Sequence, residues 1–289
     1  MAGLKEIKRR ITSVKSTKQI TKAMKMVAAA KFRKAQGRIV QLRPYAEKMY
    51  SVLGSLARNV ESVHPLMEVR PINKVEVIVF SADRGLCGGF NTNIMKAAVK
   101  LVRELQAEGK EVSVSSVGKK STDLFRRRRT ALRQAWGGLS GKVSYSNAQS
   151  ISGDIIDNYI KGTFDEVRMV YTEFKSAGVQ KVTVLPLLPI EAACLKEGSE
   201  DMADVFLFEP SEEAVFEQLL PKNIEIQVFR ALLDSAASEE AARMAAMENA
   251  TKSADDMIKR LTLQYNKARQ TSITTELMDI VGGVEALKK

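Results

Sequence analysis

From Leu4 onward, apolar residues recur at Ile7, Ile11 and Val14. This 3-4-3 spacing lays one stripe along a helix, the seam of a coiled coil. Beyond Val14 the strict heptad lapses: Lys18, Thr21 and Lys25 occupy seam positions, while Ile20, Met24 and Val27 form an offset stripe. Such a drift predicts a helix that changes which neighbour it faces. The helical pattern reaches about Leu56 with Pro44 as its only interruption, and a proline there predicts a kink rather than an end.

The period then changes. VEVIVFSA (75–82) reads as an apolar strand, NTNIMKAAVKLVRELQAEG (91–109) as a helix stopped by glycine, and EVSVSSVG (111–118) as a second strand. A helix is predicted over 147–161, after the glycine-rich GGLSGKV. EVRMVYTEF (166–174) and QKVTVLPLLP (180–189), separated by SAG, read as a hairpin at one sheet edge. Strands that alternate with helices imply a mainly parallel sheet with helices on its faces.

Helical periodicity returns at Ser211, which with Glu213 behind a proline makes a plausible helix start. After Pro221 neither proline nor glycine appears until Gly282, enough chain for a helix of roughly 90 Å. A helix that long needs a partner along its length. Phe229, Leu233, Ala236, Met247, Ala250, Ala254, Met257, Leu261 and Ala268 follow an a/d register, broken by Glu240, Arg243 and Gln264. The natural partner is the helix at the other end of the chain. The predicted fold is α/β: a long antiparallel coiled coil of the N- and C-terminal helices with an inserted Rossmann-like α/β domain. Its parts are 1–56, 74–209 and 211–287. A compact helical bundle packed on the domain is the alternative, but some sixty residues without a loop signal argue against it.

Charge sharpens the picture at one end. Residues 1–38 hold twelve basic side chains and one acid, an excess equal to the net charge of the whole chain, +11. A basic arm can meet nucleic acid, anionic lipid or an acidic protein surface. Lys15, Lys18, Lys22 and Lys25 share a face, but Lys31, Arg33 and Lys34 point round the helix, which fits a shaft enclosed by an acidic assembly better than a groove-reading helix. Aromatic interleaving that would stack bases is absent, since Phe32 is the sole ring before Tyr45. A nucleic-acid-binding coiled-coil protein remains the rival of the binding class. Past the reach of its partner, the C-terminal helix still carries Ile273, Leu277, Ile280, Val281 and Val284, which something else must bury.

Candidate chemistry is thin. SADRGLCGGFN (81–91) sits between strand and helix, where phosphate loops sit, but Gly85, Gly88 and Gly89 give neither GxGxxG nor GxxxxGK[ST]. The second strand ends Val117-Gly118-Lys119, without the acid a ribose would want, so a tight packing turn is expected rather than a cofactor site. A nicotinamide enzyme is the rival of the enzyme class, and it predicts a nucleotide-induced rise in melting temperature. His64 is the only histidine, and Cys87 has no histidine partner for nucleophilic chemistry. Cys87 and Cys194 read as two free thiols in a reducing compartment. FRRRRTALR (125–133) reads as a solvated helix face or loop. No secretory signal or membrane-spanning window is evident, so a soluble, cytoplasmic protein is expected, with no cofactor and no metal.

Three stretches carry a closer resemblance: IKRRITSVKSTKQITKAMKMVAAAKFRKAQ, SADRGLCGGFN, and the C-terminal run from ALLDSAASEEAARMAAMENATKSADDMIKRL to DIVGGVEAL. Together they resemble the gamma subunit of the F-type ATP synthase, in its bacterial form, over essentially the whole chain. The resemblance implies a non-catalytic central-stalk rotor whose coiled coil turns inside three alpha and three beta subunits. Its lower end would meet the epsilon subunit and the c-subunit ring. It implies no nucleic-acid partner, and membrane association only through the complex, at the cytoplasmic face of the bacterial inner membrane.

Residue by residue, it places Lys22, Met24 and Lys25 near the beta-subunit lever. Arg269, Gln270, Thr274 and Glu276 fall in the C-terminal contact set, and Ile280, Val281 and Val284 in the apolar bearing at the tip. Phe206 and Glu209 are placed at the c ring and epsilon subunit. The plant-type cysteine-bearing insertion is missing between Glu197 and Phe206, so thiol control of rotation is not expected.

Overall fold

The computed structural model describes residues 2–59, 64–139, 141–176, 178–190 and 208–286. Cys194, Phe206 and the position of the missing insertion lie outside them. The element order is α1 (Ala2–Asn59), β1 (Lys74–Phe80), α2 (Phe90–Ala107), β2 (Glu111–Val117), α3 (Lys119–Arg127), β3 (Leu132–Trp136), α4 (Tyr145–Ile160), β4 (Glu166–Phe174), β5 (Gln180–Leu188) and α5 (Glu212–Ala286). By internal contacts the chain divides into two units: residues 29–242, and residues 1–28 with 243–289.

In the first unit five strands run in the order β3-β2-β1-β4-β5. β1 is parallel to β2 and β4, β2 is parallel to β3, and the β4–β5 hairpin is antiparallel at the edge. This is the Rossmann-like sheet expected, with its hairpin where the SAG turn placed it. β1 has no exposed face because both its faces are covered. Val75, Val77 and Val79 pack with Ile94, Ala98 and Leu101 of α2 and with Phe125 of α3. On the other face Ile78 and Phe80 join Ile151, Ile155 and Tyr159 of α4, Leu53 and Leu56 of α1, and Ile224 and Val228 of α5.

Two elements fall around FRRRRTALR, read as a helix face or a loop: α3 bears out the helix over the motif's first residues, and β3 was not expected. α3 hides two hydroxyl side chains beside its one buried apolar residue, Phe125. Ser121 and Thr122 are buried, with Ser116 Oγ 2.5 Å from Ser121 Oγ and 2.9 Å from Thr122 Oγ1. β3 is a short edge strand held partly by charge. The last arginine of the motif, Arg133, is not solvated but turns in between Glu76 (3.1 Å) and Asp154 (2.7 Å).

In the second unit α1 and α5 pair antiparallel. Lys18 meets Asp255 at 2.5 Å, the Thr21 and Thr251 hydroxyls lie 2.8 Å apart, and Lys25 meets Glu248 at 3.3 Å. The heptad of α1 therefore does not lapse. Its polar seam positions stay in the seam because α5 supplies matching polar groups, while Ile20 and Val27 of the offset stripe stay outside, at 57% and 56% exposure, and Met24 is half-buried. On α5 the seam runs Met247, Thr251, Ala254, Ile258, Leu261, Tyr265 and Ala268, all buried or half-buried. Met257 and Gln264 face outward instead, one position off the expected register. Both prolines lie inside continuous helices, Pro44 in α1 and Pro221 in α5. The Ser211 hydroxyl accepts from the Ala214 amide (3.2 Å) and caps α5, as its sequence predicted.

Candidate functional site

Two places could host function: the crevice at the carboxyl ends of the strands, and the outer surface of the paired helices. In a doubly wound sheet the crevice opens where the strand order reverses, here between β1 and β4. The crevice that the structure shows lies beside that point, at the carboxyl ends of β1 and β2: Phe80, Ser81, Val117 and Gly118 line it, but Leu232, Ser235, Ala236 and Glu239 of α5 fill it, leaving about 30 Å³. Small-molecule sites are typically an order of magnitude larger. Gly118 closes the crevice further, because at φ +102 a Cβ there would sit 2.1 Å from the Ser81 carbonyl oxygen.

SADRGLCGGFN is the clasp of this region. The Asn91 carboxamide accepts from the Ala82 amide (3.0 Å) and donates toward Arg84 O (3.3 Å) and Cys87 Sγ (3.1 Å). The Asp83 carboxylate accepts from the amides of Lys119 (3.0 Å) and Gly138 (3.2 Å). The loop thus ties together the starts of α2 and α3 and the turn after β3, spending its polar groups on protein rather than offering them to a phosphate. Among the described residues no cluster of His, Cys, Asp and Glu has metal-ligating geometry.

The helix surface is different. Lys22 is exposed and Met24 half-buried, while Lys25 is engaged with Glu248. The Lys25 ammonium donates to the Glu248 carboxyl and holds it below the usual carboxylate range. Arg269, Gln270, Thr274 and Glu276 are all exposed, with Thr274 Oγ1 donating to Gln270 O (3.0 Å) and Ser272 Oγ to Glu276 (3.1 Å). The structure does not bring these two groups together. Lys25 lies opposite Glu248, some twenty residues and about 30 Å along the helix from Arg269. Glu209 is exposed on the other unit, just before α5.

The N-terminus of α1 reaches only the level of Ala268 to Ser272, and from Ile273 to Val284 every α5 residue is exposed. Ile280 (67%), Val281 (51%) and Val284 (50%) continue an apolar ridge begun by Ile273 and Leu277. The sequence reading overlooked Met26 (60%) and Leu263 (71%), which are exposed beside the seam, and Met278 (64%) at the tip. Counting apolar residues per turn, instead of seeking one stripe, would have found them. Basic charge on the arm is partly spent within the chain: Arg10, Lys18, Lys25 and Lys31 each have a carboxylate within 4 Å. No helix among the described residues is long and apolar enough to cross a membrane.

Comparison with known proteins matches this architecture end to end. A family model described as ATP synthase covers residues 3–287. The ATP synthase gamma chain of Trichlorobacter lovleyi is 47% identical over 289 residues, and that of Pelotomaculum thermopropionicum 48%, each alignment covering the whole of both chains. Among solved structures, a chain from the Tetrahymena thermophila mitochondrial ATP synthase central stalk and c ring is 28% identical. It gives a TM-score of 0.59 and covers 80% of this chain and 99% of its own. A chain from the Euglena gracilis mitochondrial enzyme shares the fold at a TM-score of 0.71 and 23% identity, covering 99% and 95%. With no relative or geometry favouring nucleic acid, the chain belongs to the ATP synthase gamma-chain family, the central-stalk subunit of the F-type enzyme.

Proposed function

We propose that this chain is a non-catalytic rotor, carrying torque between an ion-driven c ring and a catalytic ring of three alpha and three beta subunits. The observation that carries the reading is the tip of α5, where Ile273 to Val284 form a lone helix with its apolar ridge in solvent. An amphipathic helix is not stable as a bare projection, so a sleeve must cover it. Ile280, Val281 and Val284 are assigned to that bearing. Arg269, Gln270, Thr274 and Glu276 would meet the stator just below it, and Lys22, Met24 and Lys25 further down. Phe206 and Glu209 are assigned to the c ring and the epsilon subunit. The complex would sit on the cytoplasmic face of a bacterial inner membrane, with this chain attached through its partners.

Rotation requires that no angular position be a deep well. Exposed charged and polar contacts, each worth well under about 1 kcal/mol, meet that need. Lys25 has the further property that any stator carboxylate must compete with Glu248, so its contact can be exchanged rather than fixed. The test is reconstitution of the chain with purified alpha and beta subunits. One copy per three pairs, with steady ATP hydrolysis that fails without it, is expected; no complex and no gain in turnover would overturn the reading. In the membrane-reconstituted enzyme, Arg269→Glu should lower ions pumped per ATP while leaving the melting temperature unchanged. An unaltered ratio removes Arg269 from the contact set.

A further inference from the structure

Lys96, Lys100 and Arg103 follow one another on α2 at i, i+4 and i+7, and all three are exposed. Arg128, just past the end of α3, lines the same open groove, which has a volume of about 520 Å³. Its floor is aliphatic, made by Met95, Val99 and Leu124. Glu104 is the one acid in the lining, already 3.6 Å from Lys100. Among the described residues Lys96, Arg103 and Arg128 have no carboxylate within 4 Å. Arg126, Arg127 and Arg129, also exposed, flank Arg128. Like charges gathered without neutralisation repel one another, and their fields add inside a concave site.

The lining combines two chemistries, and few ligands use both. A free phosphate or nucleotide would take the cations and leave the aliphatic floor wet. A lipid surface is flat on this scale and cannot enter a groove between two helices. Single-stranded nucleic acid would need rings to stack on, and the lining has none. An acidic amphipathic segment meets both needs, with carboxylates on the rim and apolar side chains three or four residues apart on the floor.

We infer that the α2–α3 groove is a docking site for an acidic amphipathic segment of a protein partner. Lys96, Arg103 and Arg128 clamp its carboxylates, and Val99 and Leu124 receive its apolar side. None of these residues serves the rotor contacts assigned above, so the inference stands or falls separately.

The probe is a fluorescein-labelled helical peptide of about 18 residues with a glutamate face and a leucine stripe, titrated against the full chain by anisotropy. Saturable binding on the order of 10 µM, weakening with salt, is expected. The Lys96→Glu/Arg103→Glu/Arg128→Glu variant should weaken it at least about tenfold and Leu124→Gln about threefold. Lys8→Gln/Arg9→Gln/Lys15→Gln, on the other basic surface, should leave it unchanged. If the charge-reversed variant melts early, the corresponding glutamine triple replaces it, with the same loss expected. The inference fails if the groove variants bind normally or the arm variant does not. It fails equally if a scrambled peptide of the same composition binds as tightly. Displacement of the peptide by tripolyphosphate, phosphatidylglycerol vesicles or an oligonucleotide at comparable concentration would also overturn it.

Discussion

Along α1 one 3-4 spacing runs from Leu4 to Leu56, yet its two ends are built differently. In the unit of residues 29–242 the seam is Phe32, whose ring meets Phe174 of β4, and Ile39, Ala46, Met49, Leu53 and Leu56, buried in a core shared with the sheet. In the other unit it is Leu4, Ile7, Ile11, Val14, Lys18, Thr21, Lys25 and Ala28, and only Thr21 and Ala28 are fully buried. A two-helix seam has no third layer above it, so its apolar residues stay half in water and contribute half the burial. The same spacing therefore gives a self-sufficient fold in one unit and a surface that depends on outside cover in the other.

The largest expected contrast is in amide exchange. Amides of β1 should exchange at least about a thousandfold more slowly than those of 277–284 in the isolated chain. Adding alpha and beta subunits should slow the second set and not the first. Equal protection in the isolated chain would erase the contrast.

Equal truncations should also have unequal costs. Leu53→Ala, fully buried, should lower unfolding stability by about 2–5 kcal/mol. Ile11→Ala, half-buried, should cost about 1 kcal/mol or less. Trp136 is the only tryptophan and lies in the first unit, so its fluorescence during urea unfolding reports that unit alone. Ile11→Ala should leave that transition in place and change only the helical circular dichroism.

A third contrast concerns buried charge. Asp234 on α5 is pushed up to about 6 by burial, with Arg230 and Arg43 pulling it down and Glu173 pushing it up. Its folded value lies above its unfolded one, so its contribution to stability is fully present below about pH 4 and is lost as pH rises through 6. Asp234→Asn should therefore stabilise the first unit at pH 8 by on the order of 2 kcal/mol, a gain that disappears near pH 4. A gain independent of pH would mean that packing, not ionisation, is responsible.

The smallest effect belongs to the polar seam. Lys18→Ala removes the pair with Asp255, both partners more than a third exposed, and should cost under about 1 kcal/mol, most of it lost in 1 M salt. A larger loss would mean that the second unit is held by its charges.

The paired helices, the strand–helix alternation and the edge hairpin were legible because each is a local period. What stayed hidden depended on partners far along the chain. Lys18 and Lys25 looked like a broken heptad because the acids that keep them in the seam, Asp255 and Glu248, lie more than 200 residues away. Arg133 looked solvated because Glu76 and Asp154 sit on other elements. Most of α3 was missed because two of its three buried residues, Ser121 and Thr122, are hydroxyls, which carry no hydrophobic signal. The slip from Ile258 to Met257 arose because both are apolar neighbours and either fits a heptad on α5 alone.

The rungs Lys18–Asp255, Thr21–Thr251 and Lys25–Glu248 have one more consequence, for how the chain finds its fold. Closing a loop of more than 200 residues between two bare helices is entropically costly. Once residues 29–242 have folded, that closure is already made, and the ends need only zip outward. Alanine and leucine seams tolerate slippage, but these rungs do not. Moved one heptad, one lysine still meets an acid, but the other faces Ala241 or Thr262, and Thr21 faces Met244 or Ile258. Only one register satisfies all three, so weak polar contacts act as the key by which two long ends choose a single alignment.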